Sequence, residues 1–364
     1  MNYRKMLLAA ATQLAVLIAT AQISVGVFLP FKQKGALADR SVEYYRGLLM
    51  AIDSLSHDGT SFKVTAADCG TTAADMKSLL DETKNGVFDI VFCSSNQEQL
   101  SVVNEYSIKN GTKFTMPFGG RYDEWVSNPN FYALKVTQTD YTPKAYKLLS
   151  DAFRNKTFYV VFAGKDKEIC PFAKYLTKYV KGVKTLSLAD KEKKVAEAVT
   201  DEKAVIVAAM YDTQTQNTLL NFIQQIPNRQ AALVGYSSWY EKSQGTDDVK
   251  TLSNCNTYLI LNNFQRQNLP RTKKFLTQYE DNFNIKPVNE LFSFPMWGFD
   301  TGYYLLKGLT RHKKDFYDQP LYSAPLQSAL RFEPRASKQG LINTSCLLLH
   351  FKPDNTQELI EIKE

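Results

Sequence analysis

The feature that most constrains the fold is a regular alternation, from Gln22 onward, of short apolar runs with longer segments of helical period. Within 41–55, for example, apolar side chains recur every three or four positions and form one helical face. The apolar runs between such segments are rich in Val, Ile and Phe and lie at 23–31, 61–69, 87–93 and 112–120. Strand–helix alternation at this spacing predicts a parallel β-sheet covered by helices on both faces.

The same alternation pauses over 121–140 and then starts again. Further strand-like runs occupy 156–164, 183–188, 203–211 and 231–236. A chain of 364 residues also exceeds the size at which one hydrophobic core keeps growing. The prediction is an α/β protein with two doubly wound parallel-sheet lobes, and because no low-complexity linker separates the halves, the chain is expected to cross between the lobes more than once.

The first 21 residues have a different character. A basic start that includes Arg4 and Lys5 precedes an apolar stretch that ends in Ala19-Thr20-Ala21. This pattern predicts a cleaved signal peptide over 1–21, a mature N-terminus at Gln22, and a periplasmic or secreted location. The alternative is an N-terminal membrane anchor that stays attached.

Composition argues against several classes of function. With 44% hydrophobic and 22% charged residues, the chain is typical of a soluble globular protein. The net charge is only +7, its lysines are scattered, and it has no arginine–aromatic stripe, so nucleic-acid binding is not predicted. Its three histidines are far apart and it has no CxxC motif, so neither a metal site nor a cofactor is predicted.

The third apolar run ends in Cys93 and is followed by Ser94, Ser95 and Asn96. At the carboxyl end of a parallel strand, short hydroxyl and amide side chains can cap the next helix or bind a polar ligand, and the residues alone leave both roles open. A catalytic serine is disfavoured because there is no G-x-S-x-G motif and no histidine nearby. The sequence therefore predicts a protein that is not an enzyme.

Polar and aromatic residues also follow other predicted strands. Their alternative roles are turns, solvated loops and core packing, while their functional role would be to line the same ligand site. These candidate ligand-binding residues are Gly119, Gly120, Arg121 and Tyr122 in the first half, and Tyr211, Asp212, Tyr236, Ser237, Ser238 and Trp239 in the second.

The order of these elements resembles the type I periplasmic solute-binding proteins, especially the leucine/isoleucine/valine-binding branch. The resemblance covers nearly the whole chain after the leader. It rests on ISVGVFLPF, EYYRGLLMAID, ADCG, FCSSNQEQ, MPFGG and the late segment at 282–306 that contains FSFPMWGFDTGYYLL.

The resemblance implies two lobes joined by three crossovers, near 135–140, 264–268 and 335–345, with one ligand enclosed between them. The N-terminal lobe would comprise 22–137 plus 266–335, and the C-terminal lobe 138–265 plus 336–364.

The resemblance also implies specific residue roles. In the branched-chain amino-acid binders the Cys-Ser-Ser motif pairs its cysteine with one after the second strand and uses the next serine for the ligand. Carried over, this implies a Cys69–Cys93 disulfide and a ligand contact from Ser94. The chain departs from the pattern at Ser237 and Ser238, which stand where those proteins hold the ligand ammonium with an acid, and at Arg121.

The function that follows is an exported solute-binding protein. It would capture a small polar, amino-acid-like ligand by hinge closure, for uptake with ABC permease subunits or for sensing. The alternative is an envelope interaction or regulatory protein that keeps this fold, has lost solute binding and contacts envelope enzymes.

Overall fold

The fold is seen in a computed structural model that describes residues 22–118, 127–135, 138–162, 176, 178–209, 213–242, 246–287, 292–312, 316, 321, 324–334 and 340–361. The predicted signal peptide lies outside the described residues, as does Cys170.

The described residues alternate between strands and helices, as the sequence predicted. The strands are β1 (Ile23–Leu29), β2 (Phe62–Asp68), β3 (Ile90–Cys93), β4 (Lys113–Thr115), β5 (Phe131–Ala133), β6 (Thr157–Phe162), β7 (Lys184–Ser187), β8 (Ala204–Ala208), β9 (Ala232–Tyr236), β10 (Thr257–Leu261), β11 (Phe332–Pro334), β12 (Leu341–Asn343), β13 (Leu347–Phe351) and β14 (Gln357–Glu361). The helices are α1 (Ala36–His57), α2 (Ala73–Leu79), α3 (Glu82–Asn85), α4 (Gln97–Asn110), α5 (Gln138–Ala152), α6 (Leu188–Val199), α7 (Thr213–Gln225), α8 (Ser237–Lys242), α9 (Thr246–Asn254), α10 (Pro270–Phe283) and α11 (Phe294–His312).

The strands form two sheets with matching topology. The first has the order β11-β12-β5-β4-β3-β1-β2 and the second β14-β13-β10-β9-β8-β6-β7. The five strands from β1 to β5 and the five from β6 to β10 are parallel within each sheet. Strand β12 joins the first sheet parallel to β5, whereas β13 joins the second antiparallel to β10. The prediction of two doubly wound lobes is confirmed, with antiparallel strands added at one edge of each sheet.

The chain passes between the sheets three times. The passages lie between β5 and α5, between β10 and α10, and between β12 and β13. The first two lie close to the predicted crossovers. The third lies between Asn343 and Leu347, at the end of the crossover range 335–345, so that Leu341–Asn343, placed after the lobe boundary at 335/336, pairs with β5 in the first sheet. The apolar runs after 330 are short and isolated, so their sequence does not indicate which sheet they join. Their sheet is known only from the strands with which they pair.

The second passage is reinforced by hydrogen bonds to a neighbouring stretch of backbone. The amide of Phe264 donates to the carbonyl of Gln327 at 2.9 Å, and the amide of Arg266 donates to the carbonyl of Leu326 at the same distance. Arg266, which is 9% exposed, also forms an ion pair with Glu361 at the end of β14. We call residues 324–330 the hinge segment, because it links the second passage to the first lobe.

The first lobe is held together by close packing of α1 against α11. A Cβ added to Gly47 would lie 1.9 Å from the carbonyl oxygen of Pro295, and one added to Gly298 would lie 1.9 Å from the carbonyl oxygen of Tyr44. The buried hydroxyls of Tyr44 and Thr301 are hydrogen bonded at 2.7 Å. The two glycines therefore set the distance between helices that lie beside the carboxyl edge of the first sheet.

None of the described helices is long and apolar enough to cross a membrane.

Candidate ligand cleft at the strand ends

Each sheet reverses its strand order at its first strand. Strand β1 lies between β2 and β3, and β6 lies between β7 and β8. In open α/β sheets, ligands bind beyond the carboxyl ends of the strands at such switch points. The candidate cleft is therefore built from the residues that follow β1, β3 and β4 in the first lobe and β8 and β9 in the second.

Six of the predicted site residues cannot be placed. Gly119, Gly120, Arg121, Tyr122, Tyr211 and Asp212 lie outside the described residues.

Ser94 follows β3 at the first switch point, where the sequence predicted it, but its hydroxyl is used within the protein. It donates to the side-chain carbonyl of Gln99 and accepts from the amide of Asn96 at 3.3 Å. Gln99 is fully buried, and its amide group donates to the carbonyl of Cys69 at 2.6 Å and to that of Thr72 at 3.2 Å. The residue thus ties the end of β3 to the loop after β2, and its contact with a ligand remains a prediction.

The other two residues of this motif differ in role. Asn96 is the N-cap of α4: its side-chain oxygen accepts from the amides of Glu98 at 3.0 Å and Gln99 at 3.3 Å. This satisfies two amides that have no partner within the helix. Ser95 is half-buried at the strand end.

The Cys69–Cys93 disulfide is not present in the structure, in which both residues are free thiols. The Cys69 thiol lies 3.4 Å from the carbonyl of Gly70, and the Cys93 thiol lies 3.4 Å from the carbonyl of Thr115. Burial, partly opposed by a hydrogen bond with Ser94, raises the pKa of Cys69 to about 11. Burial, with a smaller effect of the neighbouring Cys69, also raises the pKa of Cys93. Each thiol is directed at a backbone carbonyl, so the implied bridge is wrong for this structure.

In the second lobe, the residues directly after β9 differ in whether their hydroxyl groups are hydrogen bonded. Tyr236 is buried, and its hydroxyl donates to the carbonyl of Ala208 at 2.5 Å. Ser237 and Ser238 are half-buried at the start of α8. Ser238 interacts with another group of the protein. The Ser237 hydroxyl, in contrast, has no hydrogen-bond partner among the described residues. Ser237 is therefore better placed than Ser94 to bind a polar ligand group.

Trp239 packs back over its own strand. A Cβ on Gly235 would lie 2.5 Å from Cε3 of the indole, so only glycine leaves room for the ring. The ring is 6% exposed, and its buried Nε1–H has no acceptor in the described part of the chain. A buried indole N–H ordinarily finds an acceptor, which makes this group a candidate donor to a ligand or to water.

Sequence reasoning missed a group of aromatic side chains at the carboxyl edge of the first sheet. Phe118, three residues after β4, packs 5.5 Å from Tyr44 and 5.9 Å from Phe294, measured between ring centroids. Phe292 lies 5.3 Å from Phe294 and 5.8 Å from Trp297, whose indole N–H donates to the carbonyl of Pro117 at 3.2 Å. We call these five residues the aromatic edge.

Three of its rings, Phe118, Phe292 and Phe294, are only half-buried. The guanidinium of Arg40, from the first turn of α1, lies 5.1 Å above the ring of Phe294. The edge therefore presents an apolar surface with a cation beside it. The signal in the sequence for this surface was the run FSFPMW at 292–297, which overlaps the start of α11.

No group of His, Cys, Asp or Glu side chains in the described ranges is arranged to hold a metal ion.

Comparison with known proteins adds structural relatives only. No family model matches the chain, and a search of curated proteins found no match. A protein described as a branched-chain amino acid ABC transporter, from Rhodospirillum rubrum, superposes with a TM-score of 0.60 at 14% identity, covering 93% of this chain and 100% of that one. An ABC transporter substrate-binding protein from Desulfitobacterium hafniense has a TM-score of 0.49 at 14% identity, covering 93% and 100% of the two chains. At such identity the similarity bears on the fold alone.

Proposed function

This chain has the fold of the type I periplasmic solute-binding proteins, and we propose that it is an exported protein that captures a small solute between its two lobes by hinge closure. The two sheets have matching strand order, so the carboxyl ends of both would face a shared cleft, and three passages join the lobes. A ligand that contacts both lobes binds the closed form more tightly and shifts the population toward it. The role of its R. rubrum structural relative in ABC transport supports uptake with permease subunits as the use of that closure.

The aromatic edge is the observation that carries the proposal on the ligand. Half-buried rings at a switch point favour a solute with an apolar part, and the adjacent Arg40 favours one with an anionic group. From the second lobe, the free hydroxyl of Ser237 would supply a hydrogen bond. An amino acid or an organic acid with an apolar side chain meets these requirements.

One observation favours a second candidate, an envelope interaction or regulatory protein that has lost solute binding. The hydroxyl of Ser94, which the resemblance assigns to the ligand, is occupied by Gln99 and Asn96. If the cleft binds no solute, the same half-buried aromatic surface would instead contact a protein partner such as an envelope enzyme.

A thermal-shift screen distinguishes the two candidates. The panel contains branched-chain and aromatic amino acids, aromatic acids, short peptides and sugars. A ligand at 100 times its dissociation constant stabilises the protein by about 2.7 kcal/mol, which raises the melting temperature measurably. No shift with any compound would favour the interaction protein.

The follow-up uses calorimetry on Ser237→Ala and a matched control, Ser101→Ala, on the exposed face of α4. Loss of one neutral hydrogen bond weakens binding by about 0.5–1.5 kcal/mol, or roughly 2- to 12-fold. We expect Ser237→Ala to lose affinity without a change in melting temperature of the free protein, and Ser101→Ala to change neither. Equal affinities in all three proteins would place the ligand away from the end of β9.

A further inference from the structure

A second concave surface lies outside the cleft, on the first lobe. It is a groove of about 470 Å³ between the C-terminal half of α1, the length of α10 and α11. This volume is within the range of small-molecule sites, roughly 300–1,000 Å³. The groove is walled by two helices and floored by a third, and none of the predicted cleft residues lines it.

The floor of the groove is apolar and largely aromatic. Phe275 and Phe299 are buried and pack edge to face, with ring centroids 5.2 Å apart. Tyr303 stacks on Phe299 at 5.6 Å. Leu326, from the hinge segment, completes the floor.

The two walls carry opposite charge. On one side, α1 ends with Asp53, His57 and Asp58, at the negative end of the helix dipole. On the other, α10 begins with Arg271 and Lys274, at the positive end, and its N-cap, Leu269, provides no capping side chain. In each wall the side chains and the helix end have the same sign.

These charges do not neutralise each other. Asp53 pairs only with the exposed His57, at 3.7 Å, and no ion pair joins Asp53 or Asp58 to Arg271 or Lys274 among the described residues. The two walls therefore form no direct ion pair with each other in the described structure.

The arginine of the positive wall is held in place by the floor. Its guanidinium lies 5.4 Å from the ring centroid of Phe299 and 5.1 Å from that of Tyr303. A guanidinium stacked on a ring keeps its N–H donors in its plane, where they can reach a carboxylate. Lys307, one turn further along α11, has its pKa lowered by burial and by the nearby cations Arg311 and Arg271, against the opposite effect of Asp58.

We propose that this groove is a second ligand site, which binds a small zwitterion with an apolar side chain, an amino acid or a short peptide. The ligand carboxylate lies against Arg271 and Lys274, its ammonium lies against Asp53 and Asp58, and its side chain rests on the aromatic floor. The site is independent of the cleft and borders the hinge segment through Leu326, whose amide is bound by Asp300 and whose carbonyl accepts from Arg266.

The test uses calorimetry with the dipeptide leucyl-phenylalanine as the probe. Its neutral analogue, acetylated at the amino end and amidated at the carboxyl end, keeps the side chains and removes both charges. Lys274→Glu reverses one charge of the positive wall, and Lys273→Glu is the matched control, because Lys273 is an exposed neighbour on α10 that does not line the groove. Asp58→Asn tests the opposite wall.

We expect the dipeptide to bind the wild type and Lys273→Glu with affinities within twofold of each other. Lys274→Glu and Asp58→Asn should each weaken binding by about fivefold or more, and the neutral analogue should bind at least tenfold more weakly. Ser237→Ala should leave this binding unchanged, which separates the groove from the cleft. The proposal is overturned if the dipeptide does not bind at 10 mM, if the two lysine variants behave alike, or if the neutral analogue binds equally well.

Discussion

The carboxylate of Asp300, in α11, accepts the backbone amide of Gln327 at 2.8 Å in the buried hinge segment. The same carboxylate accepts the amide of Leu326 at 2.7 Å and that of Ser328 at 2.8 Å. One side chain of the first lobe thereby fixes the backbone that runs beside the second passage. Burial raises the pKa of Asp300 from 3.8 to about 6, against the opposite effect of the three amides.

This shift predicts a pH dependence of stability. Because the pKa is higher in the folded state, the contribution is fully present below pH 3.8 and is lost as the pH rises to about 6. The loss amounts to about 3 kcal/mol in the free energy of unfolding. Asp300→Asn removes the titration and should lack this slope, while losing the acceptor for one or two of the three amides, depending on the orientation of the side-chain amide, which lowers its stability by about 1–3 kcal/mol.

Urea unfolding of both proteins between pH 4 and pH 7 measures the effect. His350 contributes a slope of opposite sign, since burial lowers its pKa from 6.5 to about 4 and its contribution is lost as the pH falls through that range. That slope is common to both proteins and cancels in their difference. A difference between wild type and variant that does not change with pH would contradict the prediction.

Replacement of the glycines at the α1–α11 crossing should destabilise the first lobe. In Gly47→Ala and Gly298→Ala the new methyl group would meet a backbone carbonyl, so the helices must move apart, at a cost of at least about 2 kcal/mol. Gly302→Ala is the matched control, because its methyl group would meet Cδ1 of Leu48, a side-chain end that can rotate. We expect the control to cost about 1 kcal/mol or less. Similar melting temperatures for all three variants would show that the crossing is not set by glycine.

We expect the Ser94 hydroxyl to contribute to the stability of the free protein, whether or not it also contacts a ligand. Ser94→Ala leaves the buried carbonyl of Gln99 without its donor, at a cost of about 1–3 kcal/mol. Ser101→Ala, on the exposed surface of the following helix, should stay within about 0.5 kcal/mol of the wild type. Denaturant unfolding measures both. A Ser94→Ala protein as stable as the wild type would indicate that this network contributes little.

The state of Cys69 and Cys93 can be read from the sign of a change in thiol count. The count is made on unfolded, unreduced protein. If both are free thiols, Cys69→Ser and Cys93→Ser each have one reactive thiol fewer than the wild type. If they form a bridge, each single replacement releases its partner and the count rises by one. A rise in the count would show that the Cys69–Cys93 disulfide implied by the resemblance is present in the protein.

The sequence by itself determined the architecture. Alternation of apolar runs with helical segments is a local pattern, and its two repeats were sufficient to predict two doubly wound sheets, whereas the positions of the passages between them were implied only by the family resemblance. Asn96 at the start of α4 was equally accessible, because capping depends on residues two or three positions away. The boundary after residue 335 was not, since strand pairing over long sequence distances places β12 in the first sheet.

Only the tertiary structure decided which side chains at the strand ends remain available. Ser94 and Ser237 have a similar local context, because each directly follows a buried strand and a helix starts at or within three residues of it. They differ because the Ser94 hydroxyl is hydrogen bonded to Gln99, which is itself bound to the loop after β2. The Ser237 hydroxyl forms no hydrogen bond with a described residue. The aromatic edge and the charged groove likewise bring together residues from distant parts of the chain. A hydrogen bond or a cavity depends on where separate elements meet, and that meeting is set by packing, which the local sequence pattern does not encode.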